Sequence, residues 1–178
     1  MNLSSLSLKV PSRLNQPSTS RKSLALIAAL ALAIPALAPR ADAQAPIVKK
    51  HIYSETADPN ADIAAALKQA RAEHKRVLID FGGDWCGDCQ VLDIYFHQAP
   101  NDALLEKNFV LVHVWIGQMD ANLDLAAKYG VPIHNGVPAL AVLNASGKVI
   151  FAQNTGEFRD MRHMETSSVT AFLEKWKS

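Results

Sequence analysis

The stretch that decides the fold is Trp85-Cys86-Gly87-Asp88-Cys89. It holds both cysteines of the chain, and it follows an apolar run at residues 77–81 that is typical of a buried strand. Two glycines separate the run from the cysteines. This order predicts a thiol pair at the start of a helix that follows a buried strand, and it suggests reversible thiol–disulfide exchange.

A helix start suits thiolate chemistry, because unpaired backbone N–H groups and the helix dipole stabilise a negative charge there. We therefore expect Cys86 to be the nucleophile. Cys89 lies three positions further on, one helical turn away on the same face, where it can reach a mixed disulfide at Cys86. This spacing predicts that Cys89 is the resolving thiol.

Two other roles for the cysteine pair stay open. A tetrahedral zinc site needs about four ligands, but the chain has no second cysteine pair and no histidines at zinc-finger spacing. A purely structural disulfide is the other alternative. It would close so short a loop that it would remove little chain entropy and so stabilise little.

Residues 1–43 are predicted to be a secretory signal peptide. Four basic residues precede an apolar segment at 24–34, and small residues at 41 and 43 form a cleavage site after Ala43. An uncleaved membrane anchor is the alternative, but a helix over residues 24–38 would span about 22 Å, less than the roughly 30 Å hydrocarbon core. A twin-arginine export signal at 20–24 is a weaker alternative, since lysine replaces the second arginine. We expect a protein that is soluble after cleavage and periplasmic or otherwise exported.

The remaining chain has the size and charge of one ordinary domain. Of 18 basic and 17 acidic residues, five and one lie in residues 1–43, which leaves a net charge of −3. No basic patch suggests nucleic acid. Two cysteines are too few for a disulfide-stapled scaffold. We expect an N-terminal extension at residues 44–60 and one domain at residues 61–178.

Hydrophobic periodicity predicts an α/β domain. Helices are expected at residues 61–74, 86–97, 102–107 and 122–129, with a last helix through residues 169–176. Strands are expected at residues 77–81 and 109–115, after the proline at 138 up to residue 143, and at 148–153 beyond a hairpin turn.

This order of elements resembles the thioredoxin superfamily over about residues 62–176. Residues 80–89 and Gly136-Val137-Pro138 carry the resemblance. It implies a thioredoxin-like three-layer fold in which helices flank a central mixed β-sheet. It also implies that the redox-active disulfide Cys86–Cys89 serves in place of a bound cofactor.

The resemblance implies further site residues. Asp80 matches a buried carboxylate that moves protons for the resolving thiol, and a partly solvated aspartate at the strand end is the alternative. Pro138 matches a cis-proline, and Val137 before it would offer its backbone N–H and C=O to an extended substrate. Trp85 would be a partly exposed aromatic that shields the thiols, although a plain core tryptophan is an alternative.

Redox tuning is expected from Asp84, Gly87 and Asp88. Carboxylates beside Cys86 oppose thiolate formation and partly offset the helix dipole, unless both are merely solvated. This favours a reductant or a near-neutral exchanger over a strong oxidant. Gly87-Asp88 in place of the usual Gly-Pro pair, and Gly82-Gly83 in place of bulkier residues, resemble exported thioredoxin-like proteins more than the cytosolic one.

We therefore predict an enzyme, an exported thiol–disulfide oxidoreductase that reduces protein disulfides. Its implied partners are protein thiol or disulfide substrates and a membrane electron donor, and it is expected to be a monomer. A disulfide oxidase or isomerase with the same pair is one alternative, and a non-catalytic binding or chaperone module is another. No metal is expected, because the histidines show no ligand spacing; copper bound near Met161, His163 and Met164 is the alternative.

Overall fold

The computed structural model describes residues 49–178. The predicted signal peptide and its cleavage site after Ala43 lie outside the described residues. Across the described residues, the helices are too short or too polar to cross a membrane.

Residues 49–178 form five α-helices and four β-strands. The helices are α1 (Pro59–Glu73), α2 (Gly87–Phe96), α3 (Asn101–Asn108), α4 (Leu123–Lys128) and α5 (Thr166–Trp176). The strands are β1 (Arg76–Gly82), β2 (Phe109–Trp115), β3 (Ala139–Leu143) and β4 (Val149–Ala152). Short 3-10 turns lie at Ile133–Asn135 and Met161–His163.

The four strands form one mixed sheet in the order β2-β1-β3-β4. β1 is parallel to β2 and antiparallel to β3, and β3 is antiparallel to β4. Strand β1 lies inside the sheet and is buried along almost its whole length. A strand that is covered on both faces reads as a continuous apolar run rather than as an alternating one, which explains the run at residues 77–81.

The sheet separates two apolar cores. One contains Ile79 of β1 with residues of α1 and α4, and it also includes both cysteines. The other contains Leu78 of β1 with residues of α2 and α5. Successive side chains of a strand point to opposite faces, so neighbouring residues of β1 enter different cores. The predicted α/β fold, a mixed sheet with flanking helices, is confirmed.

The second hairpin strand ends earlier than its apolar pattern predicts. β4 stops at Ala152, and the side chain of the next residue, Gln153, turns into the protein. Its amide nitrogen donates to the Pro138 carbonyl at 2.9 Å, and its amide oxygen accepts from the N–H of Leu140 at 3.2 Å. Gln153 thus satisfies backbone groups where β3 begins, which positions the proline loop.

The core begins before the domain start that was predicted at residue 61. Tyr53 is almost fully buried and lies in the same core as the cysteines. The polar composition of residues 44–60 suggested an extension outside the domain, but one aromatic side chain is enough to bring this segment into the core. Helix α1 then starts at an Asp58 cap, whose carboxylate accepts from the N–H of Asn60 at 2.9 Å.

Candidate active site

The two cysteines form a disulfide at the N-terminus of α2, with their Cα atoms 5.2 Å apart. Cys86 is the N-cap residue, and its Sγ accepts a hydrogen bond from the N–H of Cys89 at 3.1 Å. Cys86 is 6% exposed, whereas Cys89 is fully buried. The sulfur nearer to solvent is therefore the one that the helix start stabilises.

The Val137–Pro138 loop lies against Cys86. The peptide bond between these two residues is cis, and the carbonyl oxygen of Val137 is 3.7 Å from the Sγ of Cys86. Gly136 before them has a φ of 116°, a conformation that favours glycine. The structure thus brings together the cysteine motif and the proline motif, which lie about fifty positions apart in the chain.

Asp80 lies in a buried cluster of polar side chains. It is 1% exposed, so it is not a partly solvated aspartate at the strand end. The hydroxyl of Tyr53 donates to its Oδ2 at 2.7 Å, and Nδ1 of His113 lies 3.0 Å from the same oxygen. Its other oxygen, Oδ1, is buried and has no hydrogen-bond partner among residues 49–178. Oδ2 of Asp80 therefore has two hydrogen-bond partners, whereas Oδ1 has none among the described residues.

The register of the parallel strands explains how His113 reaches Asp80. The two residues are opposite each other in the pairing of β1 with β2. The Tyr53 ring packs edge-on against the His113 imidazole, with centroids 5.3 Å apart. The side chain of His113 is 21% exposed, so it connects the buried carboxylate with the surface.

Gly82 and Gly83 make room for two aromatic side chains. A Cβ atom on Gly82 would lie 2.9 Å from the Sγ of Cys89 and still closer to the hydroxyl of Tyr53. A Cβ atom on Gly83 would lie 2.6 Å from Nε1 of Trp85. The side chains of Tyr53 and Trp85 therefore fill the space that bulkier residues at positions 82 and 83 would occupy.

Trp85 covers the loop that follows β2. Its indole N–H donates to the carbonyl of Gly117 at 2.6 Å, and the residue is 38% exposed. It is thus a partly exposed aromatic residue directly before Cys86, and not a core tryptophan.

Asp84 anchors the N-terminal segment to the site. Its Oδ1 accepts from the N–H of Ile52 at 2.8 Å and of Tyr53 at 3.1 Å, and its Oδ2 contacts the His51 ring. Burial alone would raise the pKa of Asp84, but these three partners outweigh it and hold the pKa below its ordinary value. The hydrogen bond and the charge of Asp84 in turn raise the pKa of the exposed His51.

Asp88 is paired with Arg162. The N–H, Nε and Nη2 of Arg162 all donate to this carboxylate, at 3.0, 3.1 and 3.0 Å. The guanidinium also lies over Gly87, with Nε 3.7 Å from the position of a Cβ there. The hydrogen bonds and charge of Asp88 raise the pKa of Arg162, so the guanidinium stays charged. Asp84 and Asp88 thus each have a basic partner, which the sequence did not indicate.

Sequence reasoning missed Tyr53, His113 and Arg162. His113 was within reach, because parallel pairing of the two predicted strands places it opposite Asp80. Tyr53 and Arg162 lie in segments without periodicity, and their partners are 27 and 74 positions away. No local pattern signals contacts of that length.

Four of the six histidines contact a carboxylate: His51, His97, His113 and His163. His163, flanked by two methionines, pairs with Asp160 at 2.6 Å. In residues 49–178 no group of three or more His, Cys, Asp or Glu side chains is arranged to hold a metal ion.

Comparisons with known proteins agree with this architecture. A family model described as thioredoxin-like matches residues 58–145. The crystal structure of a disulphide isomerase from Xylella fastidiosa Temecula1 is 36% identical, with a TM-score of 0.68, over 72% of this chain and 98% of that chain.

Curated relatives match over smaller shares of their own length. The thiol:disulfide interchange protein DsbD of Pseudomonas fluorescens is 27% identical over 131 residues, which are 72% of this chain but 20% of that protein. A thioredoxin H-type of Chlamydomonas reinhardtii is 33% identical over 57 residues, 32% of this chain and 50% of that protein. The chain thus spans a fifth to a half of the length of these two. With its fold, its disulfide at the start of α2 and these relatives, the chain belongs to the thioredoxin superfamily.

Proposed function

We propose that this protein is an exported thiol–disulfide oxidoreductase that reduces protein disulfides through Cys86 and Cys89. The observation that carries the proposal is the disulfide at the start of α2. Its outer sulfur borders both solvent and the Val137 carbonyl, while its inner sulfur is fully buried. A thiol pair of this kind can capture a substrate with the outer sulfur and release it with the inner one.

The reaction has two exchange steps. The Cys86 thiolate attacks one sulfur of a substrate disulfide, so that a mixed disulfide forms and the other substrate sulfur leaves as a thiolate. Cys89 then loses its proton and attacks the Sγ of Cys86, which breaks the mixed disulfide and releases the second substrate thiolate. The substrate gains two electrons, and the protein is left with the Cys86–Cys89 disulfide.

Three further residues support these steps. Asp80, buried on the strand that leads into the motif, takes up the proton of Cys89. The backbone of Val137, before Pro138, pairs with an extended substrate chain next to Cys86. Trp85, directly before Cys86, offers a partly exposed aromatic surface to the substrate.

The reducing direction rests on the acidity of Cys86. Asp84 and Asp88 place negative charge near this sulfur, and Arg162 and His51 offset it. The local charge is therefore close to balanced, which does not favour the strongly acidic thiol of a strong oxidant. In an oxidising compartment the protein would draw electrons from a membrane donor, because glutathione does not maintain reduced thiols there.

A trapping experiment tests the activity. In the Cys89→Ala variant, mixed disulfides at Cys86 should accumulate with protein substrates, because the second exchange step is lost. Cys86→Ser is the matched control and should trap nothing. If Cys89→Ala captured no partner, or if substrate binding and the cellular phenotype survived Cys86→Ser, a binding or chaperone module would replace the enzyme.

An isomerase or oxidase is the second candidate. It is favoured by the name of the 36% identical Xylella structure, a disulphide isomerase. The reduction potential separates the directions: a value near that of thioredoxin, about −270 mV, supports reduction, and a value near −180 mV supports isomerisation. A potential near −120 mV, typical of a strong oxidant, would exclude both a reductant and an isomerase.

A further inference from the structure

Tyr53 reaches from the N-terminal segment to the carboxylate behind the thiol pair. We propose that the Tyr53 hydroxyl is a positioning group for proton transfer, which holds Asp80 by Oδ2 so that Oδ1 can exchange a proton with Cys89. The inference rests on the proposed function, because it assigns a role within the second exchange step. Tyr53 precedes the first helix, so the proposal gives one residue of the N-terminal segment a part in this step.

The geometry places the hydroxyl beside both reacting groups. Tyr53 donates to Oδ2 of Asp80 at 2.7 Å. The same hydroxyl and the Sγ of Cys89 both border the site where a Cβ of Gly82 would stand. Oδ1 of Asp80 is buried without a hydrogen-bond partner inside the described part of the chain. Burying an unpaired carboxylate oxygen lowers the stability of the folded protein, and a catalytic role explains why such an atom is kept.

Tyr53 acts as a fixed donor and not as a proton carrier. Burial, followed by the charge and hydrogen bond of Asp80, raises the pKa of Tyr53 well above its ordinary value. Asp84 and Asp93 act in the same direction. The hydroxyl therefore keeps its proton at neutral pH and holds Asp80 in one orientation.

The groups around Asp80 come from each surrounding element. Tyr53 from the N-terminal segment and His113 from β2 contact it, and β3 places the apolar Leu140 opposite it. Cys89, from the start of α2, borders the same space at Gly82 as the Tyr53 hydroxyl. In the resolving step the Cys89 proton moves to Oδ1, which leaves a thiolate and a neutral carboxyl group. The thiolate bonds to Cys86 as the substrate sulfur leaves, and Asp80 later returns its proton to solvent.

The test follows the two thiols separately. Reduced protein is mixed with the disulfide reagent dithiobis(nitrobenzoate) in a stopped-flow instrument. The release of thionitrobenzoate is then measured at several pH values. The first, concentration-dependent phase reports attack by Cys86, and the second, unimolecular phase reports attack by Cys89. Absence of both phases in the unmodified protein would count against the proposed function, not against the role of Tyr53.

Tyr53→Phe removes the hydroxyl and keeps the ring. We expect an unchanged first phase, and a second phase whose rise with pH is displaced upward by about one unit. The reason is that a carboxylate without this donor is less stable in the charged form that accepts the proton. Tyr95→Phe is the control, because its hydroxyl donates to the carbonyl of Met164, and it should leave both phases unchanged.

A double-mutant cycle separates positioning from general stability. With Asp80→Asn, Tyr53→Phe should have no further effect on the second phase, because its action passes through the carboxylate. Equal slowing in both backgrounds, or an unshifted profile for Tyr53→Phe, would overturn the proposal while leaving the oxidoreductase intact.

A second measurement keeps the shape of the ring. Fluorotyrosine is incorporated into a protein that carries Tyr95→Phe and Tyr129→Phe, so that Tyr53 alone has the more acidic hydroxyl. The stronger donor should displace the second phase to lower pH, opposite to Tyr53→Phe. A displacement in the same direction as Tyr53→Phe, or none, would refute the positioning role even if Tyr53→Phe does not fold.

Discussion

Arg162 reaches back across the chain to the two residues between the cysteines. It binds Asp88, 74 positions earlier, through three hydrogen bonds, and it also lies over Gly87. Because the guanidinium stays charged at any working pH, it offsets the carboxylate that stands nearest to the start of α2. At the scale of single residues, the charge beside Cys86 thus depends on a contact that the motif itself does not contain.

Removing this partner should make the protein a stronger reductant. In Arg162→Gln the Asp88 carboxylate is left uncompensated beside Cys86, which destabilises the thiolate of the reduced form. We expect the reduction potential to become more negative, on the order of 30 mV, a tenfold change in the equilibrium with a reference couple. Equilibration with a redox buffer, analysed by thiol alkylation, measures this.

Arg71→Gln is the control for Arg162→Gln. Arg71 donates to the carbonyl of Ala145, at a different part of the surface, so its loss should leave the potential unchanged. A potential for Arg162→Gln that stayed constant or became more positive would show that Asp88 does not influence the thiolate.

At this scale the sequence predicts the roles of the two cysteines and of the proline, but it does not predict the residues that contact and orient the site. Cys86, Cys89 and Pro138 stand in local patterns whose chemistry depends on spacing of a few residues. Tyr53 and Arg162 act through contacts between distant segments, which one sequence does not reveal. The carboxylates were visible, but the sign of their effect depends on partners that only the fold brings near.

At the scale of elements, residues 50–53 form a strap, that is, a segment bound across the start of α2 by hydrogen bonds and an ion pair. The backbone of Lys50 exchanges two hydrogen bonds with the Gln90 side chain, and its ammonium group binds Asp93 at 3.0 Å. Asp84 holds the next residues through two backbone N–H groups. The segment is therefore attached both to Asp84, just before the cysteine motif, and to helix α2.

Asp84→Asn should loosen this strap in a pH-dependent way. Hydrogen bonds to a charged group are worth about 2 kcal/mol, so we expect a loss of that order in the free energy of unfolding near pH 5.5. Asp84 has a lowered pKa in the folded protein, so its contribution is present above its unfolded pKa of about 3.9 and is lost as the pH falls through the lower folded value.

His51 adds a second limb to this pH dependence. Its pKa is raised on folding, so its contribution is complete below its unfolded pKa of about 6.5 and is lost as the pH rises through the folded value. Urea unfolding at several pH values measures both limbs. His51→Gln, the control, should differ from the unmodified protein at acidic pH only; an Asp84→Asn deficit that did not depend on pH would contradict the ionic anchor.

Elements with strong periodicity were the easiest to predict. β2 has the predicted bounds, since its apolar run follows the polar Asn108 and reaches a glycine, Gly117, soon after its end. The 3-10 turn at Met161–His163 lies outside the helices and strands that the sequence predicts, because it is too short to show periodicity. This turn carries Arg162 and so places its guanidinium next to Asp88.

At the scale of the whole molecule, the sheet divides stability between two cores that share few residues. Val114 is fully buried in the core that contains the thiols, and Val169 is fully buried in the other. Val114→Ala and Val169→Ala should each lower the free energy of unfolding by about 2 kcal/mol.

The two valine losses should add. Substitutions that share no partners are additive within about 0.5 kcal/mol, so the double variant should lose about 4 kcal/mol in urea unfolding. As a contrast, Val114→Ala combined with Ile79→Val in the same core should deviate from additivity. Strong coupling between Val114 and Val169 would mean that the sheet does not insulate the cores.

Gly82 and Tyr53 fit against each other, since the glycine before the motif leaves space that the tyrosine ring occupies. In evolutionary terms the two positions cannot drift independently. An ancestor with alanine at position 82 would have had no room for the tyrosine, and a descendant that lost the tyrosine would be free to refill the gap. The two sites should therefore covary, with glycine at the first wherever tyrosine occupies the second.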